Sequence, residues 1–251
     1  MIDPHSPLPR YAQLEEILAT EILTEAIPLD SRLPTEDALI ARYGVSRTTV
    51  RKAIQNLVAR GLAETRHGLG TFVTRPRAIQ PLTALSGFVE DMEAQGRRAT
   101  ARLVGTAVVP ASEVVAAHLA LKPGTPVVRI ERIRLADGIP FSFDETFLPE
   151  AIGHKILTHD LESMPIFTLL EETYRLPLKE AAYALEAVAA PDHIAPHLHL
   201  PPGAPIFLVE RTSYGQDDTP LDYERLSYRG DLVRFETRLP RLPQPPATRS
   251  A

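Results

Sequence analysis

The sequence predicts an α+β protein. A winged helix-turn-helix comes first, followed by an α+β domain with an antiparallel sheet that is internally duplicated. Three observations carry the prediction. Apolar residues between 10 and 60 recur at helical spacing and are interrupted at Gly44. A short alternating hairpin follows at 62–75. Residues 119–132, LALKPGTPVVRIER, return as LHLPPGAPIFLVER at 198–211.

Composition sets the bounds. A chain of 251 residues with 44% hydrophobic and 24% charged residues suits one large or two ordinary globular domains. No apolar run approaches the roughly 18–20 residues that span a bilayer, so no membrane helix is expected. MIDPHSPLPR has no basic segment leading into an apolar one, which argues against a signal peptide. With no cysteine, disulfides and thiolate metal sites are excluded. These features fit a cytoplasmic location. The formal net charge of -5 should repel nucleic acid, but the charge is uneven. Between Arg42 and Arg75, Arg42, Arg47, Arg51, Lys52, Arg60, Arg66 and Arg75 face the single acid Glu64. Such local basicity is the electrostatic footprint of a nucleic-acid face.

The elements follow in order. Tyr11, Leu14, Ile17, Leu18, Ile22 and Leu23 predict an amphipathic helix over 10–26. Thr35 can cap a second helix with Glu36 and Asp37 in its first turn, Leu39 and Ile40 inward and Gly44 as its stop. Ser46 caps a third, with Val50, Ile54, Leu57 and Val58 facing the core and Gly61 ending it. Helix, tight turn, helix is helix-turn-helix geometry. Arg47, Thr48, Thr49 and Arg51 occupy the first two turns of the third helix, off the apolar stripe, where a recognition helix meets base edges. Arginine can fork onto guanine, and threonine offers a hydroxyl and a methyl. LAETR and TFVTR then form a wing around His67-Gly68-Leu69-Gly70, whose small tip suits a phosphate or the minor groove.

Residues 1–75 resemble the winged-helix domain of the GntR family of bacterial transcription regulators, through LPTEDALIARYGVSRTTVRKAI and GLAETRHGLGTFV. The resemblance implies contact with double-stranded DNA by Arg47, Thr48, Thr49 and Arg51, with His67 and Gly68 at the wing. The chain departs from the family where Asp37 stands at a position that often holds arginine. Ala26 and Asp30 occupy two further positions that are glycine in the family pattern.

PRAIQPL, 76–82, reads as a linker because its two prolines interrupt the periodicity. Beyond it, each copy of the duplication reads strand, short helix, Pro-Gly turn, long strand, hairpin, strand. Two copies of about 80 residues suit one α+β domain with pseudo-twofold organisation. In the first copy Arg132 and Arg134 share a face, and two guanidinium forks there suit an anionic group. Asp144 follows on the next strand. In the second copy Asp222, Glu224 and Tyr228 share a face. Ion pairs on half-exposed strands would give the same pattern with little energetic value.

Residues 83–238 resemble the effector-binding UTRA domain of the HutC subfamily, through RIRLADGIPFSFDETFLP, PPGAPIFLVERT and SYRGDLVRFE. That resemblance implies a chorismate lyase-like fold and a ligand site using Ser86, Arg132, Arg134, Asp144, Asp222 and Tyr228; Glu224 joins them from the internal repeat. Where sugar-phosphate-sensing members carry Ser-x-Tyr, this chain has Pro165-Ile166-Phe167, so two hydroxyls of the phosphate clamp are gone. The expected protein is a homodimeric repressor that binds a palindromic operator and responds to a small anionic or zwitterionic metabolite. The alternative is a lyase or hydrolase fused to a DNA reader, but no paired general acid and base stands at suitable spacing. No cofactor is expected: the sequence has no Gly-rich phosphate loop, and His193, His197 and His199 suit a solvated turn better than a metal. The tail 239–251 is Pro-rich and expected to be disordered.

Overall fold

The computed structural model describes residues 2–4, 6–23, 26–74 and 77–239; the Pro-rich tail from 240 onward, Arg75 and Pro76 lie outside them. The chain divides into two compact units, 1–77 and 78–251.

In the first unit, α1 (Arg10–Leu23), α2 (Glu36–Tyr43) and α3 (Arg47–Ala59) precede a two-stranded antiparallel wing, β1 (Ala63–Arg66) and β2 (Gly70–Val73). Both caps form as their residue types dictate. The Thr35 hydroxyl accepts from the Ala38 N–H, and the Ser46 hydroxyl accepts from the Thr49 N–H at 3.2 Å. Gly44 takes the left-handed conformation, φ 63°, and its N–H closes α2 onto the Ile40 carbonyl. Leu14, Leu18, Leu39, Val50, Ala53 and Leu57 make a core in which each is fully buried. Val58, expected inward, is 37% exposed. Positions 50, 53, 54 and 57 cluster within about a third of the helix circumference, and 58 falls at the stripe's edge, so Ala53 takes its place. Asp30, at one of the family's glycine positions, sits at φ 60°, a left-handed turn that aspartate tolerates better than most residues.

The second unit is built on a six-stranded antiparallel sheet with strand order β4-β5-β6-β9-β8-β7. The strands are β4 (Ala99–Pro110), β5 (Pro126–Ala136), β6 (Ile139–Pro149), β7 (Leu178–Ala189), β8 (Pro205–Gly215) and β9 (Pro220–Arg229). Each copy of the repeat supplies three consecutive strands, and the copies meet at β6–β9, so the order reads the same from either edge. In each copy a short helical segment follows the first strand: α5 (Glu113–His118) after β4, and a 3₁₀ turn, Ala195–Leu198, after β7. Both pack on one face of the sheet, α5 against Val127, Phe147 and Tyr223, and the 3₁₀ turn against Ile133, Phe143 and Ile206. That turn gives the histidine cluster its place: His197 stacks on Phe143 with ring centroids 5.1 Å apart.

The opposite face carries the insertion that breaks the symmetry. Here α6 (Glu150–Ile156), α7 (Ile166–Thr168) and the wide turn that continues it cover Val128, Ile130 and Leu148. The stretch read as a linker contains β3 (Ala78–Pro81), which pairs in parallel with β10 (Val233–Glu236) beside α4 (Phe88–Ala94). Those residues therefore belong to the second unit, because their pairing partner lies about 155 positions downstream, out of reach of any local pattern.

Candidate functional site

On the first unit, Arg47, Thr48 and Arg51 stand exposed at the start of α3, and Thr49 is half-buried with its hydroxyl 2.9 Å from that of Ser46. His67 and Gly68 are exposed at the wing tip beside Leu69, itself 61% exposed. The recognition arginines are not free. Arg47 is paired with Asp37, and the Arg51 Nε donates to both Glu36 oxygens at 3.0 and 3.1 Å. Arg42, Arg60 and Arg66 likewise meet Glu21, Glu15 and Glu64. The basic window of the sequence is thus largely balanced by acids from α1 and α2. A count along the chain misses this because the partners lie up to 45 residues away.

On the second unit, Arg134 and Asp144 are joined at 2.8 Å, with the Ser142 hydroxyl donating to the other Asp144 oxygen at 2.6 Å. On β8–β9, Arg211 is paired with Glu224, the repeat counterparts of Arg132 and Asp144, and Glu224 also accepts from Thr146 at 2.9 Å. All four charged groups are buried, so they are not the surface pairs that strand spacing alone would suggest. Phe88 of α4 lies under the Arg134 guanidinium at 5.6 Å, and Phe167 of α7 under that of Arg211 at 4.4 Å. Between the pairs is a cavity of about 40 Å³, lined also by Ser86, Asp91, Pro165, Ile166 and Tyr228. That is room for roughly three waters, against the several hundred Å³ of a ligand pocket.

Five of the expected ligand residues, Ser86, Arg134, Asp144, Glu224 and Tyr228, line this cavity. Arg132 and Asp222 do not; both lie wholly inside the sheet-and-helix sandwich. Asp144 stands opposite Arg132 in the strand register, but its carboxylate turns to Arg134. All three guanidinium nitrogens of Arg132 are therefore without a hydrogen-bond partner among the described residues. Burial, then neighbouring Arg134, pushes the Arg132 guanidinium down to about 9, still cationic at neutral pH. Asp222 is the reciprocal case: burial and then Glu224 push its carboxyl up to about 7. Around Arg211 burial works against the charge, but Glu224 and then Tyr183 outweigh it and hold the guanidinium above its ordinary value.

Arg211 and Asp91 were not among the expected residues. The repeat itself held the signal for Arg211, since it occupies the place of Arg132 in the second copy. Asp91 accepts from Ser86 at 2.6 Å and Gln80 at 2.9 Å, and burial raises its carboxyl above the ordinary range. The expected pair of free arginine forks is therefore replaced by two arginine–carboxylate pairs and a third acid, a lining with no positive excess.

Comparison with known proteins decides the family. Residues 10–73 match the model of bacterial regulatory proteins, gntR family, and residues 94–234 match that of the UTRA domain. The chain belongs to the GntR family. It is 34% identical to the HTH-type transcriptional repressor NagR of Bacillus subtilis (strain 168), over 96% of this chain and 99% of that one. It is also 31% identical to the HTH-type transcriptional repressor PhnF of Mycolicibacterium smegmatis, over 85% and 86% of the two chains. The crystal structure of PhnF from Mycobacterium smegmatis superposes with a TM-score of 0.65 at 28% identity, covering 91% of this chain and 98% of that one. This GntR protein is thus a transcription regulator of the HutC type, with a DNA reader and a UTRA effector-binding domain. The enzyme alternative finds no support among these relatives.

Proposed function

We propose that this GntR protein is a cytoplasmic repressor that binds a palindromic operator as a homodimer and changes its operator affinity when a small zwitterionic metabolite enters the UTRA cavity. Arg47, Thr48 and Arg51 read the major groove once their acids yield to DNA, Thr49 braces the helix start, and His67 and Gly68 approach the backbone from the wing. A single winged helix buries too little surface for high specificity, and two of them on a dimer read two half-sites. Relatives named as repressors support the direction of control.

The observation that carries the effector reading is the charge of the cavity. Arg134–Asp144 and Arg211–Glu224 face one another across the pseudo-twofold, with Asp91 beside them. A dianionic phosphate would have to displace carboxylates from both arginines. A zwitterion can meet Arg134 or Arg211 with its anionic end and Asp144, Glu224 or Asp91 with its cationic end. Arg132 and Asp222 act from behind by setting the field of Glu224 and Asp144. Entry requires α4 and α7 to part, and the coupling to the reader is on the order of 1–3 kcal/mol. Thermal-shift measurements with zwitterions, simple anions and neutral sugars test this. Zwitterions should raise the melting temperature and alter operator affinity; stabilisation by neutral sugars or phosphate esters alone would overturn it.

A further inference from the structure

The wing carries a cation that the helix-turn-helix pattern does not require. Residues 30–33 run alongside β2: the Asp30 N–H donates to the Val73 carbonyl at 3.1 Å and the Leu33 N–H to that of Thr71 at 2.8 Å. Arg32 itself forms an antiparallel bridge with Phe72, so its backbone is fixed to the wing. Its side chain crosses Gly70. A Cβ at that position would lie 2.6 Å from the Arg32 Nε and 3.1 Å from its Cζ, and Gly70 has φ 113°. The guanidinium thus rests on wing backbone, in space that only glycine leaves open.

Arg47, Arg51 and Arg66 are each matched by an acid. Arg32 has no hydrogen-bond or ion-pair partner among the described residues. It lines an open groove between α3 and the wing with Thr35, Arg51, Gln55, Thr65 and Thr71, where the one acid, Glu36, is held by Arg51. When a recognition helix lies in the major groove and a wing approaches the adjacent minor groove, the strand between them presents its phosphates to the protein surface joining the two elements. A fixed guanidinium with free donors matches a phosphate's geometry.

We propose that Arg32 grips this intervening phosphate and adds a DNA-backbone contact outside the recognition helix. The proposal rests on the reading of α3 and the wing as the DNA interface. Its test uses the full chain and two duplexes, one selected by the protein from a random pool and one of scrambled sequence, over 50–200 mM KCl. Arg32→Met should weaken both duplexes by a similar factor and lower the slope of log K against log salt by about 1 per bound protomer. Over that salt range the wild type should accordingly lose roughly fourfold more affinity per protomer than the variant. Arg32→Lys should keep the slope while losing part of the affinity. An unchanged slope, or a loss confined to the selected duplex, would overturn the proposal. If Arg32→Met melts early, Arg32→Gln carries the same comparison. Arg47→Ala runs in parallel: if it leaves duplex preference intact, the interface reading itself fails, whereas its expected loss beside an unchanged Arg32→Met slope removes Arg32 alone.

Discussion

Asp37 sets the state of a recognition arginine before any DNA arrives. Its pair with Arg47 is exposed on both sides, with 78% and 56% of the side-chain areas accessible, so it contributes only about 0–1 kcal/mol to folding. Toward DNA the same carboxylate matters more, because it occupies Arg47 and repels phosphate. Asp37→Asn should leave the urea midpoint almost unchanged, tighten binding to both selected and scrambled duplexes, and steepen the salt dependence in fluorescence anisotropy. A variant that binds no tighter would mean that Arg47 leaves its acid at no cost. Residue identity alone could place Asp37 at an unusual position but not join it to Arg47, since the two sit on different helices. Arg32 was equally invisible, because its significance lies in Gly70, brought beside it by the wing pairing. What could be read directly were residues whose chemistry acts locally: Thr35, Gly44 and Ser46, each capping its own helix.

Elements follow the same division between local and distant causes. The second and third helices, the wing and both copies of the strand–helix–strand repeat obey patterns contained within some 10–40 residues, and the structure builds them accordingly. β3 escaped because a four-residue strand flanked by prolines is defined only by β10. The short helical turn expected in the second copy forms at Ala195–Leu198, but His197, expected in solvent, stacks on Phe143, a partner some 50 positions away that no local pattern supplies. The α3 start is where element stability meets function. The Ser46 hydroxyl satisfies the Thr49 N–H and holds the Thr49 side chain. Ser46→Ala should cost about 1 kcal/mol in chemical denaturation and weaken preference for the selected duplex by loosening the turn that carries Arg47 and Thr48. Ser46→Asp, which keeps a capping acceptor, should restore the stability but weaken binding to DNA of any sequence by adding charge near the phosphates.

Across the whole effector-binding unit, duplication places Arg132 and Arg211, and Asp144 and Glu224, in related positions, but Asp144 pairs with Arg134 instead, and departures from exact repetition change the surroundings of Arg132 and Asp222. The second copy has Ser213 where the first has Arg134, and Asp222 where the first has Ser142, so the polar layer closes around Arg211 and Glu224, leaves Arg132 without a hydrogen-bond partner among the described residues, and gives Asp222 no cation of its own, only neighbouring Ser213. The repeat could be read from the sequence; which of the two arginines would lack a partner depended on side-chain directions across four strands. Asp222 gives this imbalance a measurable sign. Its carboxyl rises to about 7, chiefly through burial and then Glu224, with Arg211 opposing. The unfolded chain releases that proton near pH 4, whereas the native state keeps it to about pH 7, so the native state binds more protons in between. Stability from this group therefore falls as pH rises from about 4 to 7 and stays low above. Glu224 has the opposite sign, its folded value being held low against burial by Arg211, but it is ionised in both states above about pH 5 and adds no slope there. Asp222→Asn should thus gain stability relative to the wild type between pH 5 and pH 8, by on the order of 2 kcal/mol, in urea titrations at the two pH values. Equal differences at both would mean that Asp222 is already ionised at pH 5 and that Arg132 or water reaches it in solution. A gain confined to pH 8 would identify the buried acid as a group that destabilises the effector-binding unit at neutral pH, and a bound cation that relieves it would stabilise the native state most strongly there.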